Sequence, residues 1–288
     1  MNKVGFIGVG IMGKSMVRNL MKAGFELHIY ARTKSKVEDV ISEGAQFHES
    51  IKDCVQDCDA VITIVGFPQD VEEVYFDEGN ILDSAKKGAY LIDMTTTSPQ
   101  IAEKIYEEGT KRGFHVMDAP VTGGDTGAKA GTLSILVGGE KEDYEACMPL
   151  FEAMGTNINY QGKAGCGQHC KLANQIMIAG TLSGVCEALT YAKEQGLDPE
   201  VFMKSVATGA AGSKQLDTFG PKILKDDYAP GFFMKHFIKD MKLALIEANR
   251  KGLSLDVLSM VLANYEELEQ EGYGLSLIHI SEPTRRVV

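Results

Sequence analysis

Short apolar runs alternate with longer amphipathic stretches through the first half of the chain. The runs KVGFIG (3–8), ELHIYA (26–31), DAVITIV (59–65), AYLIDM (89–94), HVMDAPV (115–121), TLSILVG (132–138) and NINYQ (157–161) predict strands. Residues 11–23, 35–43, 98–112 and 141–154 carry helical periodicity between them,. Each of those helices is followed by a glycine, Gly24, Gly44, Gly113 or Gly155, at the position that favours left-handed backbone,. Strand alternating with helix predicts a parallel, doubly wound α/β sheet covered on both faces.

After about Gly162 the strand pattern stops. Leu172, Ile176, Ala179, Leu182, Val185, Cys186 and Leu189 recur at helical spacing in one long segment ending near Gly196,. Asp198 and Pro199 read as an N-cap and first-turn proline, and further helices are expected at 198–207, 236–251 and 254–271,. The expected organisation is a doubly wound α/β domain over 1–162 and an all-α domain over 163–274, entered through the long helix.

Composition narrows the function class. The 288 residues suit two domains, and 44% hydrophobic with 24% charged content is ordinary for a globular enzyme,. A net charge of −11 repels polyanions, so neither nucleic acid nor an acidic membrane is the expected partner,. The six scattered cysteines read as free thiols rather than a disulfide framework,. The glycine-broken N-terminal run does not read as a signal peptide, and the apolar stretch 176–189 reads as too short and polar to span a membrane,. The expected location is cytoplasmic.

The chemistry begins with Gly8-x-Gly10-x-x-Gly13, directly after a strand and opening a helix, with Ile11 and Met12 inside it. The glycines allow a tight turn, close approach of a pyrophosphate and helix–sheet packing, while the helix N-terminus offers free N–H groups to the anion. An NAD site wants a carboxylate after the second strand. This chain has Ala31, Arg32 and Thr33, then Lys34, which suits the 2′-phosphate of NADP; NADP(H) is expected over NAD(H),. Further on, Thr122, Gly123 and Gly124 stand in a glycine-rich loop whose amides can wrap a carboxylate,. In GCGQHCKLANQ (165–175), Lys171 and Asn174 share a helical face behind two glycines that admit a close backbone or ligand,. Three readings compete for Lys171: a solvated surface lysine, the neighbour of a metal site on Cys166, His169 and Cys170, or a catalytic acid. No fourth metal ligand is evident, and no metal is expected.

Taken together, G-x-G-x-M-G, D-A-P-V-T-G-G, G-x-G-x-x-x-K-x-x-N-Q and the pair Lys239-Asp240 resemble the β-hydroxyacid dehydrogenases over about residues 1–274. That family includes 3-hydroxyisobutyrate dehydrogenase, 2-hydroxy-3-oxopropionate reductase and succinic semialdehyde reductases. The resemblance implies a Rossmann domain over 1–162 followed by an all-α domain, and hydride transfer between a small β-hydroxyacid and its semialdehyde at a site between the two. It implies Lys171 as catalytic lysine, Asn174 as substrate-positioning residue and Thr122-Gly123-Gly124 as the carboxylate loop. Val65, Gly66, Thr96 and Lys239 fall where the family touches the nicotinamide half of the cofactor. A homodimer or homotetramer through the helical domain is implied too. The family usually has serine where Thr122 stands, and asparagine where Ala31 stands. The chemistry agrees with the residue types: reducing an aldehyde creates an alkoxide that needs a proton, and a lysine supplies one if burial or a neighbouring cation tunes it. A non-catalytic dinucleotide-binding module is the competing reading; it has no need of Lys171, Asn174 and the glycine loop together. Residues 275–288, LSLIHISEPTRRVV, match nothing in the family pattern, look like adapter read-through, and are expected to be non-native.

Overall fold

The computed structural model of the chain describes residues 1–227 and 232–274; the tail expected to be non-native lies outside the described residues. The chain divides into two compact units, Met1–Lys171 and a second from Leu172 onward.

The first unit is built on one sheet. Its strands are β1 (Lys3–Ile7), β2 (Glu26–Tyr30), β3 (Gln46–Phe47), β4 (Ala60–Thr63), β5 (Tyr90–Asp93), β6 (His115–Asp118), β7 (Val121–Thr122), β8 (Leu133–Gly139) and β9 (Gly155–Gly162). The order is β3-β2-β1-β4-β5-β6-β8-β7, with β9 also paired to β8. The first six are mutually parallel, as expected, whereas β8 runs antiparallel to β6 and to β7. The expected strand 115–121 is therefore two strands. The chain leaves β6 after Asp118 and resumes as β7, and between them the Pro120 carbonyl accepts the Leu136 amide.

Period-two alternation explains why both faces are covered. Val4 and Phe6 of β1 with Ala60 and Ile62 of β4 enter one core, beside Met16, Val17 and Leu20 of helix Ile11–Lys22. Ile7 and Val61 enter the core on the other face, with Val71, Val74 and Tyr75 of helix Pro68–Phe76 and Ile105 of helix Pro99–Lys111. Each such aliphatic side chain, fully buried, contributes about 1.5–3 kcal/mol.

Gly24, Gly44 and Gly113 adopt left-handed backbone after their helices. Gly155 does not. It is extended (φ −149°) and opens β9, because a Cβ there would lie 2.4 Å from the Leu133 carbonyl oxygen across the β8–β9 pair. The glycine answers a close strand approach, not a helix end.

No strand is found after Gly162 among the described residues. Helix Cys166–Glu194 starts in the first unit and continues into the second, followed by Pro199–Ala207, Lys214–Ile223, Met234–Arg250 and Asp256–Leu268. At 29 residues and a mean hydropathy of 1.2 over its apolar window, the long helix is sufficient by length and composition to cross a membrane, and it exceeds the 176–189 stretch expected from sequence. Leu172, Ala179, Leu182, Cys186 and Leu189 along it are buried in the core of the second unit, with Phe237, Met241 and Tyr265. It is a core helix.

Candidate active site

Strand register places the chemistry. Tyr30 pairs with Ile7, Ile7 with Thr63, Thr63 with Asp93 and Asp93 with Asp118, one row across the carboxyl edge of the parallel strands. Gly8, Ala31, the 64–66 turn and the 94–97 turn all leave the sheet just past this row, where ligands of open α/β sheets bind,.

The three fingerprint glycines do different things. Gly8 is left-handed (φ +97°), and a Cβ there would lie 2.1 Å from the Ile64 carbonyl oxygen. At Gly13 a Cβ would meet the Gly8 carbonyl oxygen at 2.2 Å, so this glycine packs the helix onto the turn. At Gly10 a Cβ would meet nothing within 4 Å, so that space is open to a ligand. Gly10 caps helix Ile11–Lys22, with no side-chain cap on its N-terminal amides and no acidic residue in its first turn. Ile11 is exposed beside it, and Met12 packs into the first core. An open approach to uncapped amides at a positive helix end fits a pyrophosphate.

After β2, Ala31 is half-buried, while Arg32 and Thr33 are exposed. Arg32 is already engaged: its Nη2 donates to Asp70 Oδ1 at 2.7 Å and to Glu73 Oε2 at 2.9 Å. Lys34 pairs with Glu49 at 3.4 Å and lies over the Phe47 ring.

A buried polar network underlies the turns after β4 and β5. Thr63 donates from Oγ1 to Asp93 Oδ1 at 2.7 Å, and the Thr95 amide donates to the same oxygen at 3.2 Å. Thr95 Oγ1 in turn accepts the Val65 amide at 3.0 Å. Val65, Gly66 and Thr96 are thus carried on turns tied to Asp93, which is 2% exposed. Burial pushes the Asp93 carboxyl up to about 6, against the opposing pull of the Thr95 and Thr63 bonds.

The start of the long helix is fastened to the same edge. Asp118 Oδ1 accepts the Gly165 amide at 2.7 Å and Oδ2 accepts the Gln168 amide at 2.8 Å. Gln168, fully buried, donates from Nε2 to the Thr95 carbonyl at 2.7 Å and accepts the Thr97 amide at 3.0 Å. A Cβ on Gly167 would lie 2.3 Å from the Leu136 carbonyl oxygen. Gly167, ahead of the lysine, therefore admits protein backbone. Lys171 follows one turn after Gln168 and is 7% exposed, which removes the solvated-surface reading. Among the described residues, no group of three or more His, Cys, Asp or Glu side chains is arranged to hold a metal ion.

Thr122 ends β7, opposite Ser134, and Gly123 (φ +130°) and Gly124 (φ +64°) follow in consecutive positive-φ conformations. A Cβ at Gly124 would meet nothing within 4 Å. The chain then forms helix Gly124–Ala130 where sequence suggested a loop, held by Asn19 Nδ2 donating to the Ala128 carbonyl at 2.7 Å.

Asn174 and Lys239 belong to the second unit, where two residues that stood in the quoted motifs without a role connect them. Asn174 Nδ2 donates to Gln175 Oε1 at 2.8 Å, Gln175 Nε2 donates to Asp240 Oδ2 at 2.6 Å, and Asp240 Oδ1 lies 3.1 Å from Lys239 Nζ. Gln175 and Asp240 stand inside the motifs quoted from sequence, and that was their signal, although no role came with it. Asp93 and Gln168 had none.

Residues 3–162 match the family model of the NAD-binding domain of 6-phosphogluconate dehydrogenase. Residues 165–276 match that of the NAD-binding region of NADP-dependent 3-hydroxyisobutyrate dehydrogenase. The chain is 50% identical over 269 residues to an uncharacterized oxidoreductase of Bacillus subtilis, covering 93% of each chain. It is 38% identical to 2-hydroxy-3-oxopropionate reductase of Escherichia coli, covering 88% of this chain and 86% of that one. A solved structure of Mycobacterium tuberculosis 3-hydroxyisobutyrate dehydrogenase with L-serine superposes with a TM-score of 0.91 at 26% identity, over 99% of both chains.

Two expectations follow. Gly10→Ala should melt like the wild type while weakening dinucleotide binding by about an order of magnitude; Gly13→Ala should lose about 1–3 kcal/mol of stability through overpacking. Melting curves with cofactor titrations separate the two, and unchanged binding in Gly10→Ala would rule out the open approach as the pyrophosphate path. For Asp93, the native protein holds the proton more tightly than the unfolded chain does. Its stabilising contribution is present below the ordinary carboxylate range and is lost as pH rises through about 6,. The wild-type stability minus that of Asp93→Asn should fall by about 2–3 kcal/mol between pH 4 and pH 7. Urea unfolding at both pH values measures it, and a constant difference contradicts it.

Proposed function

The chain belongs to the β-hydroxyacid dehydrogenase family, oxidoreductases acting on CH–OH groups, and we propose that it interconverts a small β-hydroxyacid and its semialdehyde. The substrate is of the 3-hydroxyisobutyrate or 2-hydroxy-3-oxopropionate type, and NADP(H) is used in preference to NAD(H). The observation that carries this reading is the burial of Lys171 one turn beyond a helix start fixed by Asp118 and Gln168.

The bound dinucleotide supplies or accepts the hydride. The uncapped amides after Gly10 would hold its pyrophosphate, Arg32 and Thr33 would meet the 2′-phosphate, and Val65, Gly66 and Thr96 would line the nicotinamide end. The consecutive positive-φ glycines 123 and 124 orient amides toward the substrate carboxylate, with the Thr122 hydroxyl beside them,. In the reducing direction the Lys171 ammonium gives its proton to the oxygen that becomes the hydroxyl. In the oxidising direction the neutral amine takes that proton back. Held in place, the ammonium also stabilises negative charge developing on the oxygen. Asn174, one turn further along the same helix, orients the hydroxyl. Its amide is itself oriented by Gln175, and Gln175 by Asp240. A second reading, oxidation of L-serine, is favoured by the presence of that β-hydroxyacid with the M. tuberculosis enzyme.

NADPH oxidation with tartronate, methylmalonate and succinate semialdehydes, together with NADP⁺ reduction by L-serine, tests the reaction. Saturable turnover with one of them is expected, and its absence with NADPH still bound would favour a non-catalytic module. Lys171→Ala should lower kcat by about 10²- to 10⁴-fold with NADPH affinity retained; near-normal turnover would dismiss the lysine as proton carrier. Comparable kcat/KM with NADPH and NADH would refute the cofactor preference.

A further inference from the structure

Arg32 stands where an acidic residue would select NAD, yet its charge is not simply on offer. Its Nη2 donates to two carboxylates on helix Pro68–Phe76, Asp70 at 2.7 Å and Glu73 at 2.9 Å, 38 and 41 residues along the chain. The acids sit at i and i+3, on one face of that helix. Asp70 is the fixed partner: its second oxygen accepts the Phe67 amide at 2.9 Å at the helix start, and its side chain is only 20% exposed. Arg32, with a side chain 61% exposed, is the arm that reaches across to it. The Asp70 bond is the foremost influence raising the already high guanidinium pKa.

We propose that Asp70 and Glu73 are specificity-determining residues for the dinucleotide: they compete with the 2′-phosphate for Arg32 and so limit preference for the phosphorylated cofactor. The proposal rests on the reading that Arg32 meets that phosphate. A 2′-phosphate can displace the carboxylates, losing two charge-assisted bonds, or share the guanidinium with them and accept like-charge repulsion. Either route weakens the phosphorylated form only, since a ribose 2′-hydroxyl makes no such demand. Asp70 cannot withdraw freely, because its other oxygen caps the helix.

The test measures Kd for NADPH and NADH by fluorescence titration. The proteins are the wild type, Glu73→Gln, Asp70→Asn/Glu73→Gln, Arg32→Ala and the triple variant. Asparagine retains an acceptor for the Phe67 amide, and Glu73→Gln leaves the cap untouched, so at least one variant remains informative if the other is misfolded. The double variant should bind NADPH about five- to tenfold more tightly, with NADH changed by less than about twofold. The gain should vanish when Arg32 is alanine. Unchanged NADPH affinity in the double variant, or equal gains for both cofactors, overturns the proposal. So does a gain that survives in the triple variant, which would mean direct repulsion. Arg32→Ala judges the underlying reading separately: if it leaves NADPH binding intact, the 2′-phosphate assignment and this proposal fall together. If it weakens NADPH alone while the double variant is silent, only the proposal falls.

Discussion

The Asp118 carboxylate accepts two backbone amides, Gly165 and Gln168, and thereby decides where a 29-residue helix begins. The first N–H groups of a helix have no intrahelical acceptor, and a buried carboxylate with no donors would be costly. Here each satisfies the other across 47 and 50 residues of chain. The bond sets position along the helix axis and its phase, because only one register puts both amides within reach. Lys171 inherits that phase three residues later. The fit also forbids side chains nearby: a Cβ on Gly138 would lie 2.6 Å from Asp118 Oδ1, and one on Gly167 2.8 Å from Asp118 Oδ2.

Gln168 extends the constraint sideways. By bonding the Thr95 carbonyl and the Thr97 amide it locks the turn after β5 to the helix start, and Thr95 locks the turn after β4 through Val65. The turns bearing Val65, Gly66 and Thr96 are thus held in one hydrogen-bonded set with the helix that carries Lys171. Sub-ångström placement of reacting groups is worth orders of magnitude in rate, and loops alone rarely provide it. In the proposed site, a hydrogen-bonded network of strand ends and a helix start takes that part.

Features legible in the sequence were local. The fingerprint glycines, the helix periods and most strands each depend on residues close along the chain, and the structure has them within a few positions. The unread features are pairings between distant segments. Asp93 looked like the ordinary end of an apolar strand, and Asp118 stood in a quoted motif without a role, since nothing beside either announces a partner in another element. Gln168 lay in a stretch where a lysine and two cysteines drew notice, yet it is the residue that ties that stretch to the sheet. Gly155 was misread because a glycine after a helix most often relieves left-handed strain, whereas this one relieves a strand–strand approach. The antiparallel insertion of β8 has the same origin, since strand direction is set by which edge accepts the strand and not by its own composition.

The charge balance then resolves an apparent conflict between a chain of net charge −11 and a polyanionic cofactor. Around the fingerprint, basic side chains are already committed: Lys14 to Asp39, Arg18 to Asp39 and Glu43, Arg32 to Asp70 and Glu73, and Lys34 to Glu49. Most of these pairs are exposed, so each adds little stability, but together they cancel the local positive field. In the proposed site, attraction for the pyrophosphate therefore comes from groups that no carboxylate has claimed, the uncapped amides after Gly10 and the dipole behind them,. Amides carry no formal charge, do not titrate and cannot swing to a competing acid. On the proposed reading, an acidic protein keeps a phosphate site built on amides, and the side-chain cations near it are left to adjust which dinucleotide binds.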